Sequence, residues 1–445
     1  MPIQQSRIAL SLLSFLLAAV QTGFGPFVSV WLTEQGWNQA DIGIALSVGT
    51  VAGLLGQLPA GALIDATSLK RIVAVVALVV LGLSALILAL WPDWLPVLGA
   101  QILHGLASSA LIPAVAALTL ALVGHDAFAE QIGINVRYGS IGNAAAAALL
   151  GVWATYFSQR GVLLLTAAMV LPALLALLAI PQRALIGQNP ADRAAGDAPG
   201  TKLPPEIREP HGDPGWHVVF ERGFVAFALC VLLFQLTNAA MLPLALNTYV
   251  AHAAGADWII SACIIVPQVV VAAISPWVGR MTNRWGRRPI LLLGLLPLPL
   301  RGLIFAFLPD PLLLIPAQLL DGLSGAMLGL MLPLIAADVS RRIGCLTLTM
   351  GAFGLAGGVG ATVSTTLAGA IADAAGIQTA FLMLTAAGFA AVVLVWVCMP
   401  ETRPARRPAP DHLHTPPKSP ALTPPLADPA GTEPDAANSP RRIHP

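Results

Sequence analysis

Roughly twelve apolar runs, each about as long as a bilayer is thick, constrain this chain more than any other feature. A helix needs about 20 mainly apolar residues to cross the hydrocarbon core. Runs of that kind cover 8–31, 40–63, 72–91, 95–123, 132–157, 161–180, 222–249, 257–278, 289–308, 311–337, 344–372 and 377–399. Composition agrees with this reading. Only 10% of the residues are charged, against about 25% in a soluble domain, so a water-facing surface cannot be built from them. The expected fold class is an all-α polytopic membrane protein with twelve transmembrane helices. The run starting at Ile8 is too long for the core of a signal peptide and lacks a small-residue cleavage pattern after it, so it reads as the first span.

The segments between the runs set the organisation. Gaps are short except from Pro181 to about His217, which is polar and rich in Pro, Gly, Asp and Arg. That stretch predicts a flexible linker between two six-helix halves. The expected domains are an N-terminal bundle over 1–180, a linker over 181–217 and a C-terminal bundle over 218–400. A Pro-rich tail over 401–445 is expected to be disordered. Basic residues fix an expected orientation. Arg7, Lys70, Arg71, Arg137, Arg222, Arg280, Arg284, Arg287, Arg288, Arg341, Arg342 and the linker and tail cations fall on one side, and only Arg160 on the other. The positive-inside rule then puts both termini in the cytoplasm of a cell membrane, with an even number of spans.

A repeat underlies the hydropathy. Pro26 plus 217 is Pro243. Trp91-Pro92-Asp93 aligns with Leu308-Pro309-Asp310, and Gln101-Ile102-Leu103-His104-Gly105 with Gln318-Leu319-Leu320-Asp321-Gly322. Gly61-Ala62-Leu63-Ile64-Asp65, followed by Lys70-Arg71, has a counterpart 218 residues on in Gly279-Arg280-Met281-Thr282-Asn283-Arg284-Trp285-Gly286-Arg287-Arg288. This loop resembles the loop motif of the major facilitator superfamily of secondary transporters. Gly279, Arg284, Gly286, Arg287 and Arg288 match it; Asn283 stands where the family usually has Asp, and the first copy keeps Asp65 but lacks the later glycine. The resemblance covers about residues 8–400. It implies two pseudo-symmetric six-helix halves with inverted repeats inside each. It also implies that the loop docks the second helix onto the eleventh to hold one gating state. Asp65 is then expected to accept hydrogen bonds from a helix N-terminus or an arginine. The second copy is expected to act mainly as a positive anchor.

Charges at membrane depth are costly and mark function or pairing. Arg301 lies nine residues before Asp310 and Asp321 eleven after it, so each is about 14–17 Å from the same turn. Either the two form a structural ion pair, or protonation of Asp321 frees Arg301 during transport. His104, the repeat mate of Asp321, is a third proton-coupling candidate, since imidazole titrates near neutral pH; hydrogen-bonded helix packing is its alternative. Gln101, His104 and Ser108 share one face of the fourth helix, as Gln318, Asp321 and Gly325 do on the tenth. Gln21 and Thr22 on the first helix, and Gln235, Asn238 and Asn247 on the seventh, add polar faces. These amides and hydroxyls are candidates either for a substrate cavity, with Gln101 and Gln318, or for interhelical hydrogen bonding.

Glycines on the fifth helix (Gly139, Gly142, Gly151) and the eleventh (Gly351, Gly354, Gly357, Gly358, Gly360) predict close helix approach. Drug/proton antiporters of the family carry Gly-Pro-Gly on the fifth helix, whereas this chain reads Gly139-Ser140-Ile141-Gly142. Gln101 stands where their fourth-helix arginine would be. No Walker A loop, metal-ligand cluster or catalytic triad appears, and the four cysteines form no metal or redox spacing. No cofactor, no metal and no enzymatic reaction are expected, and a net charge of +1 gives no sign of a nucleic-acid partner. The leading expectation is a monomeric, proton-coupled secondary transporter of a small organic solute working by alternating access, with efflux ahead of uptake. A proton symporter or facilitator taking up a sugar or organic acid is the alternative, and a non-transporting membrane sensor or receptor is the reading from another class.

Overall fold

A computed structural model describes residues 2–24, 26–67, 69–180, 222–246, 257–308, 310–342 and 345–402. Every regular element among them is helical. In the first half these are α1 (Pro2–Thr22), α2 (Pro26–Glu34), α3 (Gln39–Ala66), α4 (Lys70–Leu90), α5 (Trp94–Tyr156) and α6 (Gln159–Leu178). The second half holds α7 (Arg222–Asn238), α8 (Met241–Ala245), α9 (Asp257–Trp285), α10 (Arg287–Leu295) and α11 (Pro297–Phe307). It continues with α12 (Leu314–Val339), α13 (Leu346–Ala375) and α14 (Ile377–Cys398). The 181–217 stretch, the tail beyond Thr402 and Asn247 lie outside the described residues.

Eleven helical stretches are long and apolar enough to span a bilayer, and α5 is one of them at 63 residues. A straight helix of that length would reach about 95 Å, three times the hydrocarbon thickness. It is not straight. Gly124 has φ 70° and ψ 176°, a left-handed φ that glycine adopts at little steric cost. Asn135 Nδ2 then donates to Thr119 Oγ1 at 3.1 Å; on a straight helix these residues would be about 24 Å apart. α5 is therefore two antiparallel arms, 94–123 and 125–156, which are spans four and five, and the total is twelve. The loop expected at 124–131 contracts to one glycine, and the second arm starts about two turns earlier than the hydropathy implied.

Prolines break three other spans. Pro243 has no N–H to give the carbonyl of Ala239, and α7 ends at Asn238 before α8 begins. The freed amide of Ala240 donates instead to Ser364 Oγ on α13, at 3.1 Å. The repeat mate Pro26 opens α2 in the first span. Pro297 and Pro299 separate α10 from α11 in the ninth.

The repeat also appears in how the halves meet. A Cβ on Gly61 of α3 would lie 2.5 Å from the Thr347 carbonyl oxygen on α13. Shifted by 218, a Cβ on Gly279 of α9 would lie 2.6 Å from the Ala129 carbonyl oxygen on α5. Gly351 against the Gln57 carbonyl and Gly133 against the Ser275 carbonyl, at 2.7 Å for the latter, form a second such pair. Only glycine lets these backbones come so close. All four contacts lie toward the end of the bundle that carries the basic loops, called here the basic end.

Candidate functional site

Arg301 is the most deeply buried charge in the described chain, with 1% of its surface exposed. The proline break at Pro297 places it on α11, facing α7, α8 and α12. Its Nη1 forms an ion pair with Asp321 Oδ1 on α12. Its Nη2 donates to Asn238 Oδ1, at the last residue of α7. Its Nε donates to the thioether of Met241, at the first residue of α8, at 3.1 Å. The ring of Phe305, one turn along α11, lies 5.9 Å from the guanidinium carbon. Burying a lone guanidinium would cost many kcal/mol, so this shell is what lets a cation stay at this depth. The Asp321 side chain differs in keeping 22% of its surface exposed. One member of the pair is sealed and the other is partly exposed.

The same framework recurs in the first half with other side chains. At the 217 offset, Gln21 matches Asn238, Phe24 matches Met241, Ser84 matches Arg301 and His104 matches Asp321. Phe24 and His104 stack with ring centroids 4.1 Å apart and planes 16° from parallel. Ser84, fully buried, donates to the Ala100 carbonyl at 2.8 Å. The duplicated site is thus charged in one half and aromatic in the other.

The remaining cavity candidates divide. Thr22 Oγ1 donates to the Ala18 carbonyl at 2.9 Å and meets Asn143 Oδ1 of the fifth span at 3.1 Å. Gln235 packs its stem near Gly357 of α13. Gln101 and Gln318 are buried between helices. Gln101 is 3% exposed and wedged beside Gly49 of α3; Gln318 is fully buried on α12. Gln101 Nε2 and both amide atoms of Gln318 have no hydrogen-bond partner among the described residues. The stripe that put them beside His104 and Asp321 spans enough of a helix turn to point these two at neighbouring helices.

At the basic end, Asp65 Oδ1 accepts from the Thr347 amide at 3.1 Å and Oδ2 from the Leu348 amide at 2.8 Å. Thr347 Oγ1 returns a bond to the Gly61 carbonyl at 2.7 Å. Asp65 thereby caps the first turn of α13, where amides lack intrahelical partners. Lys70, the first residue of α4, adds its charge near Asp65, and Arg71 donates to the Leu178 carbonyl at 2.9 Å. The second copy is more than the positive anchor expected of it. Arg287 Nε pairs with Asp338 Oδ2 at 2.8 Å, with each side chain 6% exposed. Its Nη1 reaches Asn283 Oδ1 at 3.4 Å. Arg284 lies in the last turn of α9. Gly286, at φ 96°, turns the chain so that Glu401 accepts from the amides of Arg287 and Arg288 at 2.8 and 3.2 Å, capping α10. Arg288 also donates to the Trp396 carbonyl.

Asn283 also has a physical reason. The residues 218 before Thr347 and Leu348 are Ala129 and Glu130, the fifth and sixth of an arm that starts at 125. Their amides are already spent in the helix ladder, so a carboxylate at 283 would find no free backbone amides, and the side chain there meets Arg287 instead. Sequence reasoning missed Asp338, Glu401 and Met241. The 217 offset contained a signal for Met241, through Phe24; Asp338 and Glu401 sit at span ends, where an acidic residue reads as ordinary solvated surface.

A cavity of about 710 Å³ is lined by residues of the first half, none of them near Arg301 in sequence or among its contacts. It runs along one stripe of α3 from Ala40 to Leu55 and past Ile102 and Leu106. Its lining is almost all hydrocarbon, so it offers no polar chemistry. Gly43 on this stripe, and Gly369 toward the same end of α13, have open space where a Cβ would be. The glycine contacts of the basic end do not continue to the other end.

Twelve spans among the described residues, a duplicated core and a buried Arg301 paired with a partly exposed Asp321 define a polytopic helical membrane protein. The chain belongs to the Major Facilitator Superfamily: the family's model matches residues 10–266 and 223–430. An uncharacterized MFS-type transporter of Mycobacterium tuberculosis is 36% identical, over 88% of this chain and 93% of that protein. A multidrug resistance protein B homolog from the same organism is 27% identical over 48% of this chain and 39% of its own length. A proton:xylose symporter of known structure superposes with a TM-score of 0.71 at 15% identity, covering 90% of this chain and 97% of that one; this likeness concerns the fold. The protein is accordingly an integral membrane transporter.

Proposed function

We propose that this transporter moves a small organic solute by alternating access, coupled to protons through Asp321. The observation that carries this reading is the asymmetric pair: Arg301 sealed at 1% exposure, Asp321 open at 22%. A partly exposed carboxylate held beside a buried cation can exchange a proton, and losing its charge alters what holds the cation. Bundle 1–180 rocks against bundle 218–400 about the 181–217 linker, as a single chain. The basic end faces the cytoplasm, because loop cations are retained on that side. The chain as described is then closed toward the cytoplasm, with Asp65 and the Gly61, Gly133, Gly279 and Gly351 contacts as the closure. Efflux is placed ahead of uptake. The partial likeness to a multidrug resistance protein homolog supports that order, and the nearly uncharged core suits a drug-like or metabolite solute.

The test is substrate-dependent proton movement in proteoliposomes of known orientation, with a solute panel and an internal pH dye. A solute that shifts lumenal pH supports coupling, and the sign separates antiport from symport. Saturable flux of labelled solute with no proton signal would make the protein a facilitator and Arg301–Asp321 a structural pair.

A further inference from the structure

Arg301 does more than neutralise Asp321: its other two contacts straddle the break in the seventh span. Asn238 is the last residue of α7 and Met241 the first of α8, and one guanidinium bonds both. The intervening backbone is weakly held. Pro243 removes one ladder bond, and the Ala240 amide has left the helix for Ser364 on α13. Met241 and the α8 residue Ala245 pack in a small separate cluster with Phe305, Ala317 and Cys263, apart from the main core. Among the described residues the first-half break shows no such bridge: Ser84 stands in place of Arg301 and donates to the Ala100 carbonyl.

We propose that Arg301 is a positioning residue that staples α7 to α8 while Asp321 is charged, and that protonation of Asp321 loosens the staple and lets α8 swing. The inference rests on Asp321 as the proton site. The guanidinium is held in register by two hydrogen bonds and one ion pair on three helices, and the ion pair with the carboxylate carries the charge. Without that charge, a thioether and an amide oxygen remain to hold a buried cation, and the weak sulfur contact is the one to give. Among the described residues, the elements packed on Asp321 at this depth bring one charged group, Arg301 on α11. α7 offers Asn238, and α9 offers Cys263 as its titratable side chain, while the arginines of α9 and α10 lie at the basic end. Proton gain at Asp321 would thus be felt mainly by Arg301.

Amide hydrogen exchange of the reconstituted full chain, corrected for intrinsic exchange at each pH, reads the hinge directly. Protection over 239–246 should fall roughly tenfold or more as Asp321 protonates, the scale of one lost charge-assisted hydrogen bond. Protection over 224–236 should stay constant. Asp321→Asn should show the low value at every pH. Met241→Leu, which keeps volume and leaves the ion pair, should also lower protection at 239–246 at every pH; it serves if Asp321→Asn does not fold. Protection at 239–246 unmoved by pH and by Met241→Leu would overturn the staple. If Asp321→Asn stops proton coupling but the hinge stays protected, the staple falls and the proton site stands. If coupling survives in Asp321→Asn while the hinge opens, the proton site falls and Arg301 remains a structural clamp.

Discussion

The two acidic groups at the heart of this molecule, Asp321 and Asp65, are held by different physics and should fail differently. Asp321 sits across from a buried cation. Removing that cation in Arg301→Ala leaves a carboxylate with one face open, and removing Asp321 leaves a guanidinium with none. Breaking a buried pair costs about 3–5 kcal/mol; the partial exposure of Asp321 puts Arg301→Ala near the lower end. Yield after detergent extraction should drop for both single variants, and Arg301→Asp with Asp321→Arg should recover part of it. Equal yields for the single and swapped variants would show that the pair adds nothing to folding. Asp321→Asn should keep solute binding or exchange and lose pH-driven accumulation, measured in the same proteoliposomes. Asp65 instead holds two backbone amides, each bond worth about 1.5–3 kcal/mol. Asp65→Ala should therefore leave the fold intact and shift the chain toward opening at the basic end, read as faster labelling of Cys345 beside Asp65. Unchanged labelling would mean that the glycine contacts alone hold the closure.

At the scale of elements, much was legible. Arg301 and Asp321 were matched in depth by counting residues from Asp310, because helical rise is constant across sequences. The breaks at Pro26 and Pro243 were not anticipated: both prolines entered only as repeat mates, inside runs read as continuous over 8–31 and 222–249. The turn at Gly124 was legible only as a loop, since hydropathy registers polar stretches and not a lone residue with positive φ. Met241 was invisible as a ligand because a methionine in an apolar run looks like packing until a cation is placed next to it. The burial of Gln101 and Gln318 depended on helix rotation, which a stripe of polar residues fixes only to within a face. The glycines supply a prediction at this scale. Gly351→Leu would drive a side chain into the Gln57 carbonyl and part α3 from α13, so it should slow transport and expose the basic end to thiol reagents. Gly369→Ala, where a Cβ meets open space, should do neither. Equal effects for the two would show that the close approach has no part in closure.

For the whole molecule, the two halves meet at one end and part at the other. A cysteine-free background carrying Leu54→Cys and Gly358→Cys, whose positions touch across α3 and α13, should lose transport on cross-linking and regain it on reduction. Transport that continues with the link formed would rule out parting of the halves at this contact. The glycine contacts have a thermal consequence as well. They set backbone against backbone, with little hydrocarbon between, and the heat capacity of parting two surfaces scales with the apolar area uncovered. Opening at this end should have a small heat-capacity change, so the balance between the closed and open forms should follow a nearly straight van't Hoff line. The gate of a carrier shut in this way would shift with temperature through one constant enthalpy, with no temperature of maximum closure.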